Sequence, residues 1–552
     1  MQTYTVNGEL FADMIKSASA NLRNNAQTVN DLNVFPIPDG DTGDNMYKTV
    51  EGGVNTLNGN EITVSDIANK IADGMLLSAR GNSGVILSQF FEGLRIALNE
   101  KDEITVKDLC ESFASGVKKA YSSVARPTEG TILTVMREAT EKTLERIDSA
   151  SSFEGFFDTF IDEMYTSLDN TPELLPILKE SGVVDSGGAG FAYIIEGMNR
   201  ALRGEAVTSD KNSNITVYSA EENIFNADSV MEFGYCTELV LQLLNSKTDV
   251  DAFRVETLIE YLESIGGDSI VAIKKDSKVK LHVHTFMPER VLEYCHGFGE
   301  FVTLKIENMS VQHNETTVEN RFVRQTPKAK ERKRFGTVTV ADGDGLIETF
   351  LQFGCDFVIN GKQTMNPSTE DFINAFDEVG ADIIFVLPNN SNILLAAKQA
   401  AAMYNESQIY IVPTSTIAEG YAALTVLDYS SGDPESIVSD LQNIIDCVDT
   451  GLVTYSIRDC SIHDVHIEKN DWLGISGKEI LADEKTKTDA AKRLIDRMDK
   501  TDKEVIIAIC GYDTTAEEIK EVREYISKTY PLMELYEVDG GQDVYSFIFA
   551  LE

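Results

Sequence analysis

The chain has 552 residues, and at roughly 150 residues per domain this length predicts three or four domains. Its 90 acidic and 48 basic residues give a net charge of −42, which argues against a general surface for nucleic acid or anionic membrane, because phosphate-rich partners would be repelled. Apolar residues make up 42% of the chain, as in ordinary globular proteins, and no apolar run approaches the roughly 20 residues that span a bilayer.

The N-terminal residues and the cysteines predict a cytoplasmic location. The first ten residues, MQTYTVNGEL, lack the basic and apolar regions of a signal peptide. Seven cysteines are scattered along the chain without a Cys-X-X-Cys pair, which is typical of a reducing compartment. We therefore expect a cytoplasmic protein with no integral membrane segment and no nucleic-acid partner.

An acidic loop follows the first predicted helix. Apolar residues at helical spacing predict that amphipathic helix over residues 9–30. The loop, Asn33–Met46, reads NVFPIPDGDTGDNM, with three carboxylates, two prolines and two glycines. The prolines disfavour helix and the glycines allow sharp turns, so the loop can aim several oxygen atoms at one point. Oxygen ligands suit Mg²⁺ or Ca²⁺.

The spacing of this loop excludes an EF-hand. If Asp39 is loop position 1, the position that must be glycine is Asp44, and the position that must be glutamate is Val50. A solvated Asx-type turn is the simple alternative for so short an acidic sequence. Residues from Met46 onward have a helical pattern, which would place the positive end of a helix dipole beside any bound anion.

Three further segments of small residues precede predicted helices. They read SARGNSGVILSQ at 78–89, RPTEGTILTVMR at 126–137 and ESGVVDSGGAGF at 180–191. Backbone N–H groups at such helix starts can hold a phosphate, although Ser83 or Thr131 could equally act as an N-cap. The sequence has no Walker A motif, kinase catalytic-loop set or Rossmann glycine pattern, so a nucleotide site would use another scaffold. The 3.6-residue period elsewhere predicts that about the first 200 residues are all-α.

These four segments, in this order and spacing, resemble the DhaL-type (Dak2) nucleotide-binding domain of dihydroxyacetone kinases and, more closely, the fatty acid kinase A family of bacteria. The resemblance implies an antiparallel α-helical barrel that binds ATP with two Mg²⁺ ions. It identifies Asp39 and Asp41 as catalytic metal ligands, while Asn33 and Asp44 compete for the remaining ligand position, with Asn33 preferred through its amide oxygen. The implied nucleotide contacts are Asn45, Ser83, Gly84, Gly130, Thr131, Asp185, Gly187 and Gly188.

The middle segment, about residues 216–325, follows a polar linker and changes character. VMEFGYCTELVLQL, SIVAIKKDSKVKLHVHT and FVTLKIENM alternate like strands, with helices between them. His282 and His284 lie on one face of a strand, and with Cys236 from another strand they could ligate Zn²⁺, with Cys295 and His296 as further candidates. The segment resembles the middle domain of the same family, where this cysteine and the two histidines bind zinc. His284 could instead act on the acyl phosphate during transfer.

From Phe335 onward, short apolar strands alternate with helical segments. This pattern predicts an α/β fold with a largely parallel sheet, and a second α/β lobe from about residue 453. The loops NGKQTMNPSTED and LPNNSN follow two of the strands, where such sheets usually bind ligands. The region resembles the DegV-like C-terminal region of the same family, except that Asp543 stands where we expect proline. A preceding basic run, TPKAKERKRF, is typical of a solvated linker or of a docking site for an acidic partner.

The sequence therefore predicts a multidomain α and α/β protein with three parts. They are a DhaL-like ATP-binding helical barrel at 1–205, a middle α+β domain at 216–325 and a DegV-like α/β region at 335–552. The resemblance implies a homodimeric, ATP-dependent kinase subunit that uses Mg²⁺ and Zn²⁺. Its substrate would be the carboxylate of a fatty acid carried by a separate DegV-like fatty-acid-binding protein. A dihydroxyacetone-type phosphotransferase and a non-catalytic nucleotide-binding scaffold remain alternatives.

Overall fold

The structure is a computed structural model that describes the chain except for residues 1, 35–39, 60, 148–150, 208–234, 249, 251–252, 266–267, 276, 286, 309–331, 362–364 and 463–464. Its contacts divide the chain into two compact units. One unit comprises Met1–Asn214 together with Ala329–Glu552, and the other comprises Ile215–Lys328. The N-terminal and C-terminal regions therefore pack as one body, which places residues distant in sequence beside each other.

The N-terminal region is helical, as predicted. Its helices are α1 (Gly8–Asn24), α2 (Ala26–Asn30), α3 (Thr42–Asn55), α4 (Val64–Ser78), α5 (Gly81–Ala97), α6 (Val106–Ser122), α7 (Ile132–Arg146), α8 (Phe153–Asp169), α9 (Thr171–Leu174), α10 (Pro176–Ser181) and α11 (Ser186–Leu202). The helix predicted over 9–30 is broken because the Asn25 side chain donates to Asn21 O at 2.8 Å and ends α1. The helix after the acidic loop begins at Thr42, before the predicted Met46.

A short pair of strands departs from the all-α prediction. The strands β1 (Thr5–Asn7) and β2 (Glu103–Thr105) pair antiparallel. Each strand runs directly into a helix that its last residue caps, since Asn7 accepts from Leu10 N and Thr105 accepts from Asp108 N. The strand pair therefore ties the starts of α1 and α6 together.

Phenylalanine rings hold the helices of this region around one core. Edge-to-face pairs join Phe90 of α5 to Phe113 of α6 and to Phe191 of α11, with ring centroids 5.5 and 5.3 Å apart. Phe160 of α8 closes the ring of contacts, 5.1 Å from Phe113 and 6.3 Å from Phe191. Each such pair adds about 0.5–1.5 kcal/mol beyond burial. The helices α5, α6, α8 and α11 are thus fixed relative to one another.

The middle unit is an α+β fold, as predicted. Its elements are β3 (Tyr235–Leu243), α12 (Val255–Ser264), β4 (Asp268–Lys275), β5 (Lys278–Thr285), α13 (Pro288–His296) and β6 (Gly299–Asn308). The strands form an antiparallel sheet in the order β4-β5-β3-β6. Leu281 and Val283 of the sheet share a buried core with Leu258 of α12 and Val291 of α13, so one sheet face is covered by the helices.

The first C-terminal lobe has the predicted parallel sheet, in the order β10-β9-β7-β8. Its elements are β7 (Lys333–Ala341), α14 (Asp344–Gln352), β8 (Phe357–Asn360), α15 (Thr369–Val379), β9 (Ala381–Leu387), α16 (Leu394–Met403), β10 (Gln408–Ile411), α17 (Ile417–Thr425) and α18 (Pro434–Ile445). Each strand pairing in this sheet is parallel. The carboxyl ends of β8 and β9 therefore lie at one edge, and the loops at 361–368 and 388–393 leave from that edge.

The second lobe also mixes helices and strands, but its sheet is mostly antiparallel. Its elements are β11 (Asp449–Tyr455), β12 (Cys460–Ile462), β13 (Val465–Ile467), β14 (Trp472–Ser476), β15 (Glu479–Glu484), α19 (Lys487–Arg497), β16 (Val505–Cys510), α20 (Ala516–Thr529), β17 (Glu534–Asp539) and β18 (Phe547–Leu551). In the sheet order β15-β14-β11-β18-β16-β17, only β16 and β17 pair parallel. Among the residues described in both units, no helix combines the length and apolar character needed to cross a bilayer.

Candidate functional site

A cavity of about 230 Å³ lies where the N-terminal ends of α3 and α5 meet. The residues that line it come from the acidic loop, from the first turns of both helices and from the C-terminal region: Asn33, Val34, Gly40, Asp41, Thr42, Asn45, Gly81, Asn82, Ser83 and Asn392. The N–H groups of a first helical turn have no carbonyl partner within the helix, so a helix start can bind an anion. In α3 one of these groups is already used, because Gly43 N donates to Asn30 Oδ1 at 2.7 Å. The structure thus brings the first two predicted segments to one place.

Asp41 is the one charged side chain in the described lining of this cavity. It occupies the N-cap position of α3, yet its carboxylate makes no capping bond to that helix. Instead, Oδ1 accepts from Asn45 Nδ2 at 2.9 Å and Oδ2 accepts from Asn366 Nδ2 at 2.5 Å. Both donors are neutral amides, which orient the carboxylate without removing its charge. The predicted partner Asp39 lies outside the described residues.

Asn33 and Asp44, the two candidates for the remaining ligand position, have different surroundings. Asn33 lines the cavity, and its Oδ1 accepts from Thr42 Oγ1 at 2.8 Å. Asp44 is absent from the described lining, and its Oδ2 accepts from Asn30 Nδ2 at 2.9 Å. Asn33 therefore shares the cavity with Asp41, and Asp44 does not.

The first turn of α5 forms one wall of the cavity. Ser83 is part of that wall, but Arg80 occupies the N-cap position of the helix, so the N-cap alternative for Ser83 is wrong. Gly84 packs so closely on α3 that a Cβ there would lie 2.5 Å from Thr49 Oγ1. Gly81 has a φ of +58°, in the left-handed region that favours glycine. The small residues of this segment are thus required by close packing and by the turn.

The third predicted segment lies elsewhere. Gly130 has a φ of +84° and packs against Leu175, where a Cβ would meet the leucine Cβ at 2.9 Å. Thr131 occupies the N-cap position of α7, but its hydroxyl donates to Thr128 O at 2.8 Å instead of accepting from the helix. Neither Gly130 nor Thr131 belongs to the described lining of the cavity.

The fourth predicted segment is part of a helix start. Asp185 caps α11 by accepting from Gly188 N at 2.7 Å, and it also accepts from the backbone of Ile132 at the start of α7. Burial raises the pKa of Asp185 to about 6. Gly187 and Gly188 belong to the first turn of α11 and not to a turn before it. None of these residues is in the described cavity lining, so Asp185 serves here to join two helix starts.

Three residues that the sequence did not single out also reach the cavity region. The hydroxyl of Ser186, the first residue of α11, lies 3.4 Å from Asn33 Oδ1. Asn392 lines the cavity, and Asn366 donates to Asp41. Both asparagines belong to the strand-end loops that the sequence marked as the usual ligand-binding positions of an α/β sheet. No sequence pattern indicates that these loops face the cavity of the helical region.

The predicted zinc ligands are placed by the backbone register of the middle unit. Cys236 of β3 lies directly opposite His284 of β5 in the antiparallel ladder. His282 is two positions along the same strand, and these positions alternate with the buried Leu281 and Val283. Cys236, His282 and His284 therefore occupy positions on one face of the sheet, opposite the buried face.

The further zinc candidates, Cys295 and His296, lie in different surroundings. Cys295 lies in the apolar core of the middle unit, where burial raises the pKa of its thiol to about 12. His296 is exposed, and its Nε2 lies 3.2 Å from Glu300 Oε2. Among the side chains that the structure describes, no group of three or more His, Cys, Asp and Glu residues could hold a metal ion.

Comparisons with known proteins match every region of the chain. A DAK2 domain model matches residues 36–200, and middle and C-terminal domain models of the FakA-like (fatty acid kinase A-like) family match 232–316 and 336–552. The chain is 36% identical to protein YloV of Bacillus subtilis, with 100% of each chain covered. It is also 36% identical to an uncharacterized Staphylococcus epidermidis protein, with 99% of each chain covered.

Solved structures match about two fifths of the chain. DegV, a fatty acid binding protein from Bacillus subtilis, is 15% identical with a TM-score of 0.30, covering 40% of this chain and 100% of its own. The Streptococcus pneumoniae fatty acid kinase B3 protein loaded with linoleic acid is 13% identical with a TM-score of 0.26, covering 39% and 99%. Because the sequence relatives are above 30% identity and match from end to end, the chain belongs to the family of fatty acid kinase A-like proteins.

Proposed function

We propose that the chain is an ATP-dependent kinase subunit that phosphorylates the carboxylate of a fatty acid to give an acyl phosphate. The fatty acid would be carried by a separate DegV-like fatty-acid-binding protein. The observation that carries the proposal is the cavity in which Asp41, Asn33 and the first turns of α3 and α5 meet. Family membership supports kinase chemistry in general, and the cavity supports its location.

The side chains of the cavity fit a divalent cation. Asp41 supplies carboxylate oxygens and Asn33 supplies an amide oxygen, and oxygen ligands of this kind are what Mg²⁺ prefers. A phosphate placed against Asp41 alone would be repelled, so a cation is needed between the two negative groups. We assign Asp39 and Asp41, with Asn33, to two Mg²⁺ ions. When bound, these ions would neutralise the negative charge on the phosphate groups during transfer.

The chain itself orients and binds the reacting groups. Asn45 fixes one oxygen of Asp41. Gly81, Asn82 and Ser83 of the first turn of α5 line the cavity, where their N–H groups would bind phosphate. Positioning of this kind provides most of the catalysis in phosphoryl transfer.

Other nucleotide contacts are proposed at the starts of α7 and α11, outside the described lining of the cavity. They would require the nucleoside part of ATP to extend from the cavity toward α7 and α11. The proposed contacts there are Gly130, Thr131, Asp185, Gly187 and Gly188.

A second protein is proposed as the carrier of the acceptor for a physical reason. A free acyl chain is poorly soluble because its apolar surface is excluded from water, so the carboxylate must be delivered by a protein that shields the chain. The homodimer, the cytoplasmic location and the three-part division at 1–205, 216–325 and 335–552 stay predictions that accompany this proposal.

We also propose a zinc site in the middle unit at Cys236, His282 and His284. Cys236 and His284 occupy directly opposite positions in an antiparallel ladder, and Cβ atoms at such positions are about 4.5–5.5 Å apart, a spacing that suits two ligands of one ion. Thiolate and imidazole are the usual zinc ligands. The alternative for His284, a direct part in transfer to the acyl group, stays open.

The proposal is tested with the purified full-length chain and Mg·ATP. ADP release and acyl phosphate formation are measured with an oleate-loaded DegV-like protein or with dihydroxyacetone as acceptor. We expect turnover with the loaded protein only, and its loss in the double variant Asp39→Ala/Asp41→Ala. Turnover with dihydroxyacetone alone would favour a dihydroxyacetone-type phosphotransferase. Nucleotide binding without turnover of either acceptor would favour a scaffold.

A further inference from the structure

We propose that the C-terminal α/β region completes the metal and phosphate site of the helical region within the same chain. In this proposal Asn366 is a positioning residue for Asp41, and Asn392 is part of the cavity wall. The inference rests on the proposed function and deepens it, because it states which part of the chain sets the geometry of the proposed metal-binding carboxylate.

The central contact joins two buried residues that are far apart in the sequence. Asn366 Nδ2 donates to Asp41 Oδ2 at 2.5 Å across 325 positions of the chain. Asn366 is 3% exposed and Asp41 is 8% exposed. The other oxygen of Asp41 accepts from Asn45 at 2.9 Å, so the two carboxylate oxygens receive donors from different regions of the chain. The plane of the carboxylate is therefore set jointly by the helical region and by the α/β region.

The segment that carries Asn366 is itself anchored at the start of α5. Arg80 Nη1 donates to Asn366 O at 2.8 Å, and Arg80 also forms an antiparallel bridge with Ser368. Thr369 N donates to Ala79 O at 3.1 Å. Since Arg80 occupies the N-cap position of α5, this backbone pairing fixes the same helix start that lines the cavity.

Next to these hydrogen bonds, the helical region and the C-terminal region also pack through apolar side chains. Buried members of one core cluster come from both regions: Ala79, Val85, Val340, Phe372 and Ile393. Farther from the cavity, Gln399 Nε2 donates to Leu76 O at 2.7 Å. Because separating the regions would expose this apolar surface to water, the arrangement around Asp41 is a stable interface of the fold.

The second lobe adds a contact to the beginning of the acidic loop. The guanidinium of Arg458 donates to the carbonyl oxygens of Asp31 and Asn33, and it lies 3.4 Å from that of Val34. Asn33 and Val34 both line the cavity. The C-terminal region thus holds the cavity from two sides, through the Asn366 segment and through Arg458.

Both asparagines come from loops at the carboxyl edge of the parallel sheet, where ligands usually bind in α/β folds. Asn366 follows β8 and Asn392 follows β9. The backbone is left-handed at two non-glycine residues of these loops, with φ of +50° at Met365 and +59° at Asn389. Such strain persists where surrounding contacts over-determine the conformation, and it is frequent at functional sites. Here the ligand edge of the sheet is turned toward the helical region's cavity.

The physical consequence concerns cation binding. An amide that donates to a carboxylate oxygen fixes its orientation and leaves lone pairs for a metal. Removal of such an outer donor typically costs about 10–100-fold in metal affinity or activity. We therefore expect Asn366→Leu, which keeps the side-chain size and removes the donor, to raise the Mg²⁺ concentration for half-maximal nucleotide binding about tenfold.

The experiment uses full-length chains and a fluorescent ATP analogue across a Mg²⁺ titration. Asn366→Leu and Asn366→Ala both remove the amide, and only the second also removes the bulk of the side chain, so a shift that they share is due to loss of the amide. Gln399→Leu is the control for loss of interface contacts, because it removes the hydrogen bonds of Gln399 with Leu76 O and with the Gln89 side chain without touching Asp41 or the cavity. Thermal unfolding of each variant shows that it is folded.

The expected result is a Mg²⁺ shift in both Asn366 variants and none in Gln399→Leu. Equal shifts in all three variants would mean that Asn366 only holds the two regions together, and the positioning role would be overturned. An unchanged Mg²⁺ requirement in the Asn366 variants, beside a wild type that binds nucleotide, would overturn the inference alone. A wild-type chain without Mg²⁺-dependent nucleotide binding would instead overturn the proposed function.

Discussion

The amide oxygen of Asn33 accepts a hydrogen bond from the Thr42 hydroxyl at 2.8 Å, which joins the first residue of the acidic loop to the first residue of α3. This contact keeps Asn33 on the cavity wall, beside Asp41. Asp44, in the first turn of α3, bonds to Asn30 instead. The two candidate ligands thus have different hydrogen-bond partners, and only Asn33 lines the cavity.

Replacing Asn33 should impair cation binding far more than replacing Asp44. Asn33→Ala removes an oxygen ligand from the cavity and should raise the Mg²⁺ requirement for nucleotide binding about tenfold. Asp44→Asn removes a charge outside the described lining and should leave that requirement nearly unchanged. Mg²⁺ titrations of nucleotide binding at constant ionic strength measure both. A larger effect of Asp44→Asn would assign the ligand position to Asp44.

Alanine substitutions at two glycines distinguish the effect of backbone strain from the effect of damage to the site. Gly81 and Gly380 both have φ of +58°, so alanine at either position should lower the free energy of unfolding by about 1 kcal/mol. At Gly81 a Cβ would also lie 2.8 Å from Asn45 Nδ2, which donates to Asp41. At Gly380 the nearest atom beyond the adjoining residues would be Asp377 O at 3.7 Å, an ordinary contact.

Only Gly81→Ala should therefore weaken nucleotide binding, by about tenfold, through displacement of Asn45. Denaturant unfolding and nucleotide titration of the two variants test this. Equal nucleotide affinities would show that Asn45 can move without consequence for Asp41.

Asp342 predicts a specific dependence of stability on pH. It lines a second cavity, of about 730 Å³, in the C-terminal region, and burial raises its pKa from 3.8 to about 6. The folded state therefore holds this proton more tightly than the unfolded state. The contribution to stability is fully present below the unfolded pKa and is lost as pH rises from about 4 through about 6.

Asp342→Asn should remove this loss of stability at higher pH, because an asparagine side chain does not ionise. Above about pH 7 we expect the variant to be more stable by about 1–3 kcal/mol, with the difference vanishing toward about pH 4. Fluorescence of Trp472, the single tryptophan, reports unfolding of the C-terminal region. Asp342 accepts from Asp543 N at 2.9 Å, and an asparagine oxygen can accept the same bond. A stability difference that does not change with pH would refute the assignment.

Local pattern was sufficient for most of the fold. The helices around Phe90 and the parallel strands of the first C-terminal lobe follow from side-chain periodicity, which depends on neighbours in the sequence. The pair β1 and β2 was missed because strands of three residues carry too little alternation to be recognised. The break of the first helix at Asn25 was missed because it depends on one side-chain hydrogen bond.

The candidate site could be predicted only in part for a related reason. Asp41, Asn45 and Ser83 sit at helix starts, where residue type and local conformation together indicate an anion or cation site. The contribution of Asn366 depends on which surface the strand-end loop meets, and that is decided by packing between regions 325 positions apart. The interface depends on apolar surfaces of both regions, and such surfaces have no local sequence signature.

The register of β3 and β5 leads to a prediction for the middle unit. Cys236 lies opposite His284, and His282 occupies the same sheet face. His282→Ala should therefore lower the zinc content of the purified chain well below that of the wild type, because it removes one of the three proposed ligands. His296→Ala is the matched control, because His296 is exposed at the end of α13 beside Glu300, and it should leave the zinc content unchanged.

His284→Cys distinguishes the two roles open to His284. The thiolate keeps a zinc ligand in place but cannot carry a proton as imidazole does at neutral pH. If His284 is only a ligand, this variant should retain both zinc and acyl phosphate formation with a loaded partner protein. Retained zinc with lost transfer would assign His284 to the transfer step. Equal zinc content in the wild type and in His282→Ala, measured by elemental analysis, would remove the zinc site altogether.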